Sequence, residues 1–283
     1  MCDKLDLATV LDAPYGCDHV LCFCDGLLLV SRFLSGAIAL WNTSTRTIEK
    51  ISLPYSCYGS SYGVCRDPIT DDFKVVILSY SYYTVYSCKN NSWKKKMKYE
   101  CIEYFYSGYS YTSIMDGCPG VCVDGASYWV VEKSKRIMYF DPRDDKFKIL
   151  QKPESIADDD VSKSIFLVDL GGSLCLYCNG RDATRVTIWA KEKGIDSNSW
   201  KKLVTIRNVE TSIKLFEPQC FVGNKIVIRV QYDKGLVVYN TSKKRFKELK
   251  ETKAFGIGLV PYLDTAFFPI EKSRSKRKRN SLQ

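Results

Sequence analysis

Cys17, His19, Cys22 and Cys24 fall within eight residues and carry the side chains that zinc prefers. Structural zinc sites normally pair two separated knuckles, and this cluster stands alone just ahead of Gly26. Alternate residues of a strand share a face, so Cys22 and Cys24 are read as one face of a strand that enters a glycine hairpin. Cys175-Leu176-Tyr177-Cys178 has the spacing of a redox motif, but that chemistry prefers a helix N-terminus. In a strand its two thiols point to opposite faces. Gly59-Ser60-Ser61-Tyr62-Gly63 matches the pattern of a nucleophile elbow, which needs a strand-to-helix turn and a base. The single histidine, His19, lies upstream of Ser61, and the residues after Gly63 are strand-like. Asp71-Asp72, Asp144-Asp145 and Asp158-Asp159-Asp160 are read as solvated loops and not as acid–base pairs. No Walker loop, dinucleotide fingerprint or HExxH motif occurs. The expectation is a protein that is not an enzyme and that holds no metal and no cofactor.

The elements that carry these residues repeat. Leu40-Trp41-Asn42-Thr43-Ser44-Thr45-Arg46-Thr47-Ile48 aligns with Tyr139-Phe140-Asp141-Pro142-Arg143-Asp144-Asp145-Lys146-Phe147 and with Val238-Tyr239-Asn240-Thr241-Ser242-Lys243-Lys244-Arg245-Phe246. Each reads as a strand end, an aromatic, an Asn or Asp, a polar turn and a new strand. Weaker copies run from Val85-Tyr86-Ser87 to Trp93 and from Ile188-Trp189-Ala190 to Trp200. With positions 42, 87, 141, 190 and 240 taken as equivalent, the spacings are 45, 54, 49 and 50 residues. A hairpin glycine followed by an apolar run (Gly26, Gly125, Gly172, Gly223) precedes four of the turns by 16 to 18 residues. Tight hairpins demand positive φ, which Gly, Asn and Asp tolerate. Strands rich in Val, Ile, Tyr and Trp, several of them continuously apolar, point to sheets covered on both faces. Four-stranded units at this period are the mark of propeller blades, because one small sheet cannot bury both its faces alone. The predicted fold is all-β, a propeller-like (kelch-like) array of about five to six four-stranded antiparallel blades, open to incompleteness at the N-terminus. Residues 1–20 and 254–270 match no unit and are expected to supply a sixth unit or a closing strand.

The chain has 283 residues, 45% of them hydrophobic and 26% charged, which excludes a disordered chain. No apolar run approaches the roughly 18 residues that span a bilayer, and the first residues lack the features of a secretory signal. No membrane contact is expected, and the cytoplasm and/or nucleus is the expected location. The thirteen cysteines are irregularly spaced and read mainly as reduced core residues. The net charge is +10, of which the last thirteen residues supply +5, so the folded part needs no basic groove.

Four motifs now combine. Cys24-Asp25-Gly26-Leu27-Leu28 resembles the C-N-G-L-L hairpin of the plant F-box-associated domain. Trp41-Asn42-Thr43-Ser44-Thr45-Arg46 with Leu53-Pro54 resembles its W/F-N-P-x-T-R turn, although Thr43 replaces the proline. Gly63-Val64-Cys65-Arg66-Asp67-Pro68-Ile69-Thr70-Asp71-Asp72-Phe73-Lys74-Val75-Val76 resembles G-x-x-x-D-P-x-T-D-D-Y-K-V-V, and Asp124-Gly125-Ala126-Ser127-Tyr128-Trp129 resembles N-G-x-x-Y/H-W. Only one Gly-Gly pair occurs, Gly171-Gly172, unlike a regular kelch array. The resemblance covers roughly residues 15–265. It implies the substrate-recognition part of an SCF-type ubiquitin ligase receptor, whose partner is a target protein to be ubiquitinated. No N-terminal F-box pattern is visible, so contact with adaptor and cullin is expected only if coupling persists without one. The alternatives are a truncated decoy or scaffold, and a nuclear nucleic-acid-associated protein acting through a basic tail.

Two segments are the candidate contact sites. Tyr104, Phe105, Tyr106, Tyr109 and Tyr111 lie among Ser and Gly in the longest repeat, a composition that offers large contact area at low entropy cost. Plain cross-strand aromatic pairing is the competing reading. Lys276, Arg277, Lys278 and Arg279 form the core of the tail at 271–283, which is too charged to pack. That tail reads as a nuclear-import address, a nonspecific phosphate contact or a solubilising end. Residues 1–270 are assigned to the propeller-like domain.

Overall fold

A computed structural model describes residues 17, 19–32, 37–54, 60–79, 82–98, 119–131, 136–156, 163–180, 185–207, 209, 216–230 and 235–249. Among them every regular element is a strand. The first sheet contains β1 (His19–Cys24), β2 (Leu27–Ser31), β3 (Ile38–Asn42) and β4 (Thr47–Ile51). The second contains β5 (Ser61–Arg66), β6 (Phe73–Leu78), β7 (Tyr82–Ser87), β8 (Ser92–Trp93) and β9 (Met97–Lys98). The third is built from β10 (Val121–Val123), β11 (Ala126–Val131), β12 (Arg136–Asp141) and β13 (Lys146–Leu150). The fourth holds β14 (Lys163–Asp169), β15 (Leu174–Gly180), β16 (Arg185–Lys191) and β17 (Trp200–Arg207). The fifth holds β18 (Phe216–Val222), β19 (Lys225–Val230), β20 (Gly235–Asn240) and β21 (Arg245–Leu249). Each is an antiparallel meander in sequence order, with β8 and β9 sharing β7 as their partner. These five sheets are the blades of a β-propeller. The N-terminal unit, which the sequence left open to incompleteness, carries all four strands.

The continuous apolar runs follow from this arrangement, because each strand faces two neighbours. In β2, Leu27 and Leu29 join Val64, Phe73, Val75 and Ile77 of the second blade, while Leu28 and Val30 turn to the other side. Trp129 and Val131 of β11 pack with Val76 and Val85 of the second blade; Ala126 and Tyr128 pack with Leu174 and Leu176 of the fourth. Cys175 and Tyr177 then pack with Phe216, Ile226 and Ile228 of the fifth. Among the described residues, four inter-blade cores therefore replace one central core. β6 makes the point most fully, since all six of its residues are buried.

The turns explain why the repeat was visible. Asn42, Ser87, Asp141 and Asn240 each pair with the residue five positions on, enclosing a four-residue turn. The last residue of each turn has positive φ: Arg46 at 56°, Asn91 at 49°, Asp145 at 57° and Lys244 at 51°. The side chain that opens the turn accepts a backbone N–H inside it: Asn42 Oδ1 from Thr45 at 3.0 Å, Ser87 Oγ from Asn90 at 3.1 Å, Asp141 Oδ1 from Arg143 at 3.0 Å and Asn240 Oδ1 from Lys243 at 2.8 Å. In the fourth blade Ala190 offers no acceptor, and a longer connection separates Lys191 from its partner Trp200.

Two expectations need correction. Cys24 and Cys122, read as reduced core residues, are joined by a disulfide across the inner strands β1 and β10, with Cα atoms 5.3 Å apart. These inner strands converge, which brings the two side chains together. Asp72 and Asp145, read as members of solvated loops, are instead drawn inward by partners described below. Asp158-Asp159-Asp160 lies outside the described residues.

Candidate protein-interaction site

Successive strands of a meander run in opposite directions, so the connections divide between two ends of the ring. First-to-second and third-to-fourth hairpins share one end; second-to-third and blade-to-blade connections leave from the other.

At the hairpin end the charges are largely used within the chain. Lys74, only 7% exposed inside the apolar β6, donates to Asp67 Oδ2 at 3.2 Å, to Asp145 Oδ1 at 2.8 Å and to the Pro142 carbonyl at 2.5 Å. Lys94 also donates to Asp145, and the Tyr83 hydroxyl donates to the Asp145 carbonyl at 2.9 Å. Burial opposes the ionisation of Asp67, but hydrogen bonds from Thr70 and the Ile69 N–H, together with Lys74, hold its carboxyl below the usual range. Burial likewise opposes the charge on Lys74, and Asp145 and Asp67 outweigh it and hold the ammonium above its ordinary value. This hub ties the second blade to the third.

A second tie joins the third blade to the fourth. Arg143 bridges buried Asp141 and exposed Asp196, and Lys148 adds a 2.7 Å contact to Asp141. Burial of Asp141 pushes its pKa up; the bonds from Arg143 and Lys148 win and set it well below the ordinary carboxylate range. The Gly194 N–H donates to Asp124 Oδ2 at 2.7 Å. Between the first and second blades, Arg66 bridges Asp25 and Asp71 at 3.6 and 2.6 Å. Asp72 accepts from Ser87 Oγ at 2.6 Å and from the Lys89 N–H at 2.9 Å. Asp169 accepts from the Gly172 N–H at 2.7 Å; burial raises its pKa against that bond and one from Ser173, with Asp25 and Asp124 adding to the rise.

Among the described residues the apparent chemical motifs do not assemble. Cys22 and Cys24 share one core face, while Cys17 packs on the opposite side of the same blade. Cys175 and Cys178 of β15 point into different inter-blade cores. Burial raises the Cys175 thiol to about 12, leaving it protonated. Ser61 begins β5, which continues as strand to Arg66, so the elbow's helix is missing there. Among the described residues no three His, Cys, Asp or Glu side chains are grouped to hold a metal ion. No helix among them is long and apolar enough to cross a membrane.

Tyr104, Phe105, Tyr106, Tyr109 and Tyr111 lie outside the described residues, as do Lys276, Arg277, Lys278 and Arg279. The described flanks of the aromatic segment are β9, at the outer edge of the second blade, and β10, the inner strand of the third. Lys98 ends β9 and Val121 begins β10 at the end opposite the hairpins. Of the neighbouring tyrosines of β7, Tyr86 follows the cross-strand reading and packs against its partner Trp93, whereas Tyr83 meets Phe140 and Phe147 of the third blade edge-on. At the rim beside β9, Lys94-Lys95-Lys96 forms a bulge between the two short strands, with Lys96 Nζ 4.2 Å from the Tyr82 ring centroid.

Sequence reasoning missed the Lys74 hub. Its signal was one cation inside Phe73-Lys74-Val75-Val76-Ile77-Leu78, a charge that only a buried counter-charge makes tolerable. It also missed two equivalent indole straps. Trp93 Nε1 donates to the Ser52 carbonyl of the preceding blade, and Trp200 Nε1 to the Gln151 carbonyl, both at 2.7 Å.

The family described as the F-box associated beta propeller domain matches residues 6–264. The chain belongs to that family. Its relatives include the F-box protein CPR1 of Arabidopsis thaliana, 28% identical over 89% of this chain and 64% of that protein. An F-box/kelch-repeat protein of the same plant is 25% identical over 79% of this chain and 61% of its own length. The chain therefore spans less than two thirds of these relatives. Among solved structures, the β-propeller domain of Cps50 (Swd1) from Myceliophteria thermophila has a TM-score of 0.47 at 8% identity, covering 87% of this chain and 89% of that one. Virginiamycin B lyase from Staphylococcus aureus also has a TM-score of 0.47, at 11% identity, over 84% of this chain and 71% of that one.

Proposed function

We propose that this propeller is a protein-capture domain, the substrate-recognition part of an SCF-type ubiquitin ligase receptor, without catalysis of its own. Membership of the F-box-associated propeller family carries the reading. The ionic ties support it from another side: they engage much of the charge at the hairpin end and favour capture at the opposite end, where the connection holding Tyr104, Phe105, Tyr106, Tyr109 and Tyr111 departs. Tyrosine amid Ser and Gly supplies rigid, amphipathic contact area. The reading places the protein in the cytoplasm and/or nucleus, with the basic tail as an import address.

The test is affinity capture from plant extract with the full chain and with a Tyr104→Ala/Tyr106→Ala/Tyr109→Ala variant, followed by mass spectrometry. The expected result is a protein retained by the native chain and lost with the variant at unchanged melting temperature. A protein held equally by both moves the contact off this segment, and the absence of any specifically retained protein overturns the capture role. Recovery of adaptor and cullin alongside it supports ligase coupling.

A further inference from the structure

Among the described strand pairs, charged residues face each other directly at three rungs. Asp141 stands opposite Lys146 and Glu217 opposite Arg229, the opposite-charge arrangement that stabilises a sheet. Arg185 of β16 stands opposite Arg207 of β17, and both are exposed. Like charges placed this way destabilise a sheet. Among the described residues neither guanidinium has an acidic partner. Guarding the open edge of the blade explains Arg207, on the outermost strand, but not Arg185, one strand further in. Two rungs along, Thr187 and Thr205 bring their hydroxyl oxygens to 3.2 Å. Val186 and Ile206, between the two rungs, turn to the core shared with the fifth blade, so the Arg and Thr pairs share the other face. One hydroxyl hydrogen closes the Thr–Thr bond, and the second is left for a further acceptor. The Arg rung begins β16 and ends β17, which puts it at the end of the ring opposite the hairpins.

We propose that Arg185, Arg207 and the Thr187–Thr205 hydroxyl pair form an oxyanion site that takes a phosphoryl group carried by a captured protein. Cβ atoms across a rung lie about 4.5–5.5 Å apart, so two guanidinium forks can converge on one tetrahedral anion. Each planar fork matches a pair of phosphate oxygens, and a phosphoryl dianion cancels the repulsion that the rung otherwise carries. A carboxylate, with a single charge, cancels half of it. The protein source of the phosphoryl group rests on the capture reading. The chemistry adds a condition to that reading, because recognition then waits on modification of the target.

The experiment titrates the purified full chain with a glycine-flanked phosphoserine peptide, its unphosphorylated form, inorganic phosphate and a short oligothymidylate. Arginine Nε–H signals are followed by NMR and assigned through Arg185→Gln and Arg207→Gln. The expected result is saturable shifts at Arg185 and Arg207 with the phosphopeptide, larger than those at Arg277 and Arg279 of the tail, and none with the unphosphorylated form. Arg207→Gln is expected to weaken the phosphopeptide roughly tenfold. It should leave the melting temperature equal or higher, since a repulsion is removed. A lower melting temperature would show that the pair is neutralised within the chain and overturn the proposal. Shifts no larger than those of the tail would overturn it too, as would an affinity untouched by the substitution. Equal affinity for inorganic phosphate would assign the site to the free anion, and tighter binding of the oligothymidylate would assign it to nucleic acid; either overturns a phosphoprotein ligand. A protein retained from plant extract with no shifts here sinks this proposal and leaves the capture reading intact. Shifts here with no retained protein keep the oxyanion site and remove the capture reading.

Discussion

Lys74 is the residue whose removal is expected to cost most for its size. Its ammonium balances Asp67 and Asp145, whose side chains are 4% and 13% exposed, and these carboxylates cannot recruit water to replace it. Lys74→Met is expected to lower unfolding free energy by about 3 kcal/mol, the low end for breaking a buried pair, because Thr70 and Lys94 still serve the two acids. The half-exposed Arg229–Glu217 pair is expected to contribute less than about 1 kcal/mol in the same urea titration. Asp141 makes the acid limit of stability predictable. Its folded-state pKa lies below the unfolded value, so its contribution is present above about pH 4 and lost as pH falls through the folded value. Urea midpoints are expected to fall from about pH 5 to about pH 2. Asp141→Asn should start lower and decline less steeply, and an equal slope would show that other carboxylates set the acid limit.

At the scale of strands and turns, the blade contacts rest on places where a larger side chain has no room. Gly63 of β5 lies under the Trp129 ring of the next blade, and a Cβ there would sit 2.5 Å from Cζ2. Gly63→Ala is expected to destabilise by about 1–3 kcal/mol, with Trp129→Phe recovering part of the loss in the double variant. The recurrent turn makes the opposite prediction. Lys244 holds φ at 51°, a conformation that costs a side-chain residue about 1–2 kcal/mol. Lys244→Gly is therefore expected to raise the melting temperature and Lys244→Ala to leave it unchanged. This turn is also why the blades could be read in the sequence. Asn42, Ser87, Asp141 and Asn240 sit where a side-chain acceptor is required, and alternation sorts neighbouring apolar residues between two cores. Local chemistry of that kind leaves a local signature. The Lys74 hub, the indole straps and the Cys24–Cys122 bond join residues far apart in sequence, and only the packing of blade against blade decides which distant residue becomes a partner. The candidate contact residues were legible only as composition, because a surface that recognises another protein need satisfy nothing within its own chain.

For the molecule as a whole, charge is unevenly placed. The outermost strands carry Lys50, Lys98, Lys146, Lys148, Lys201, Lys202, Arg207, Arg245 and Lys247, cations that keep exposed strand edges from pairing with other chains. The tail adds +5 of the net +10. Binding to nonspecific nucleic acid is expected to be weak, steeply salt-dependent and abolished by deleting residues 271–283, as read by fluorescence anisotropy at two ionic strengths. Binding that survives the deletion would implicate the lysine-lined rim. The division between the two ends has a further consequence for how such a domain diversifies. Where ionic ties clamp short hairpins, an inserted residue would break a bond between neighbours. On the opposite side the stretch of chain between β9 and β10 is far longer than any hairpin, so that is where length can change while the scaffold endures. A gene family could thus acquire new prey by rewriting one side of the disc, much as a lock is rekeyed without replacing the door.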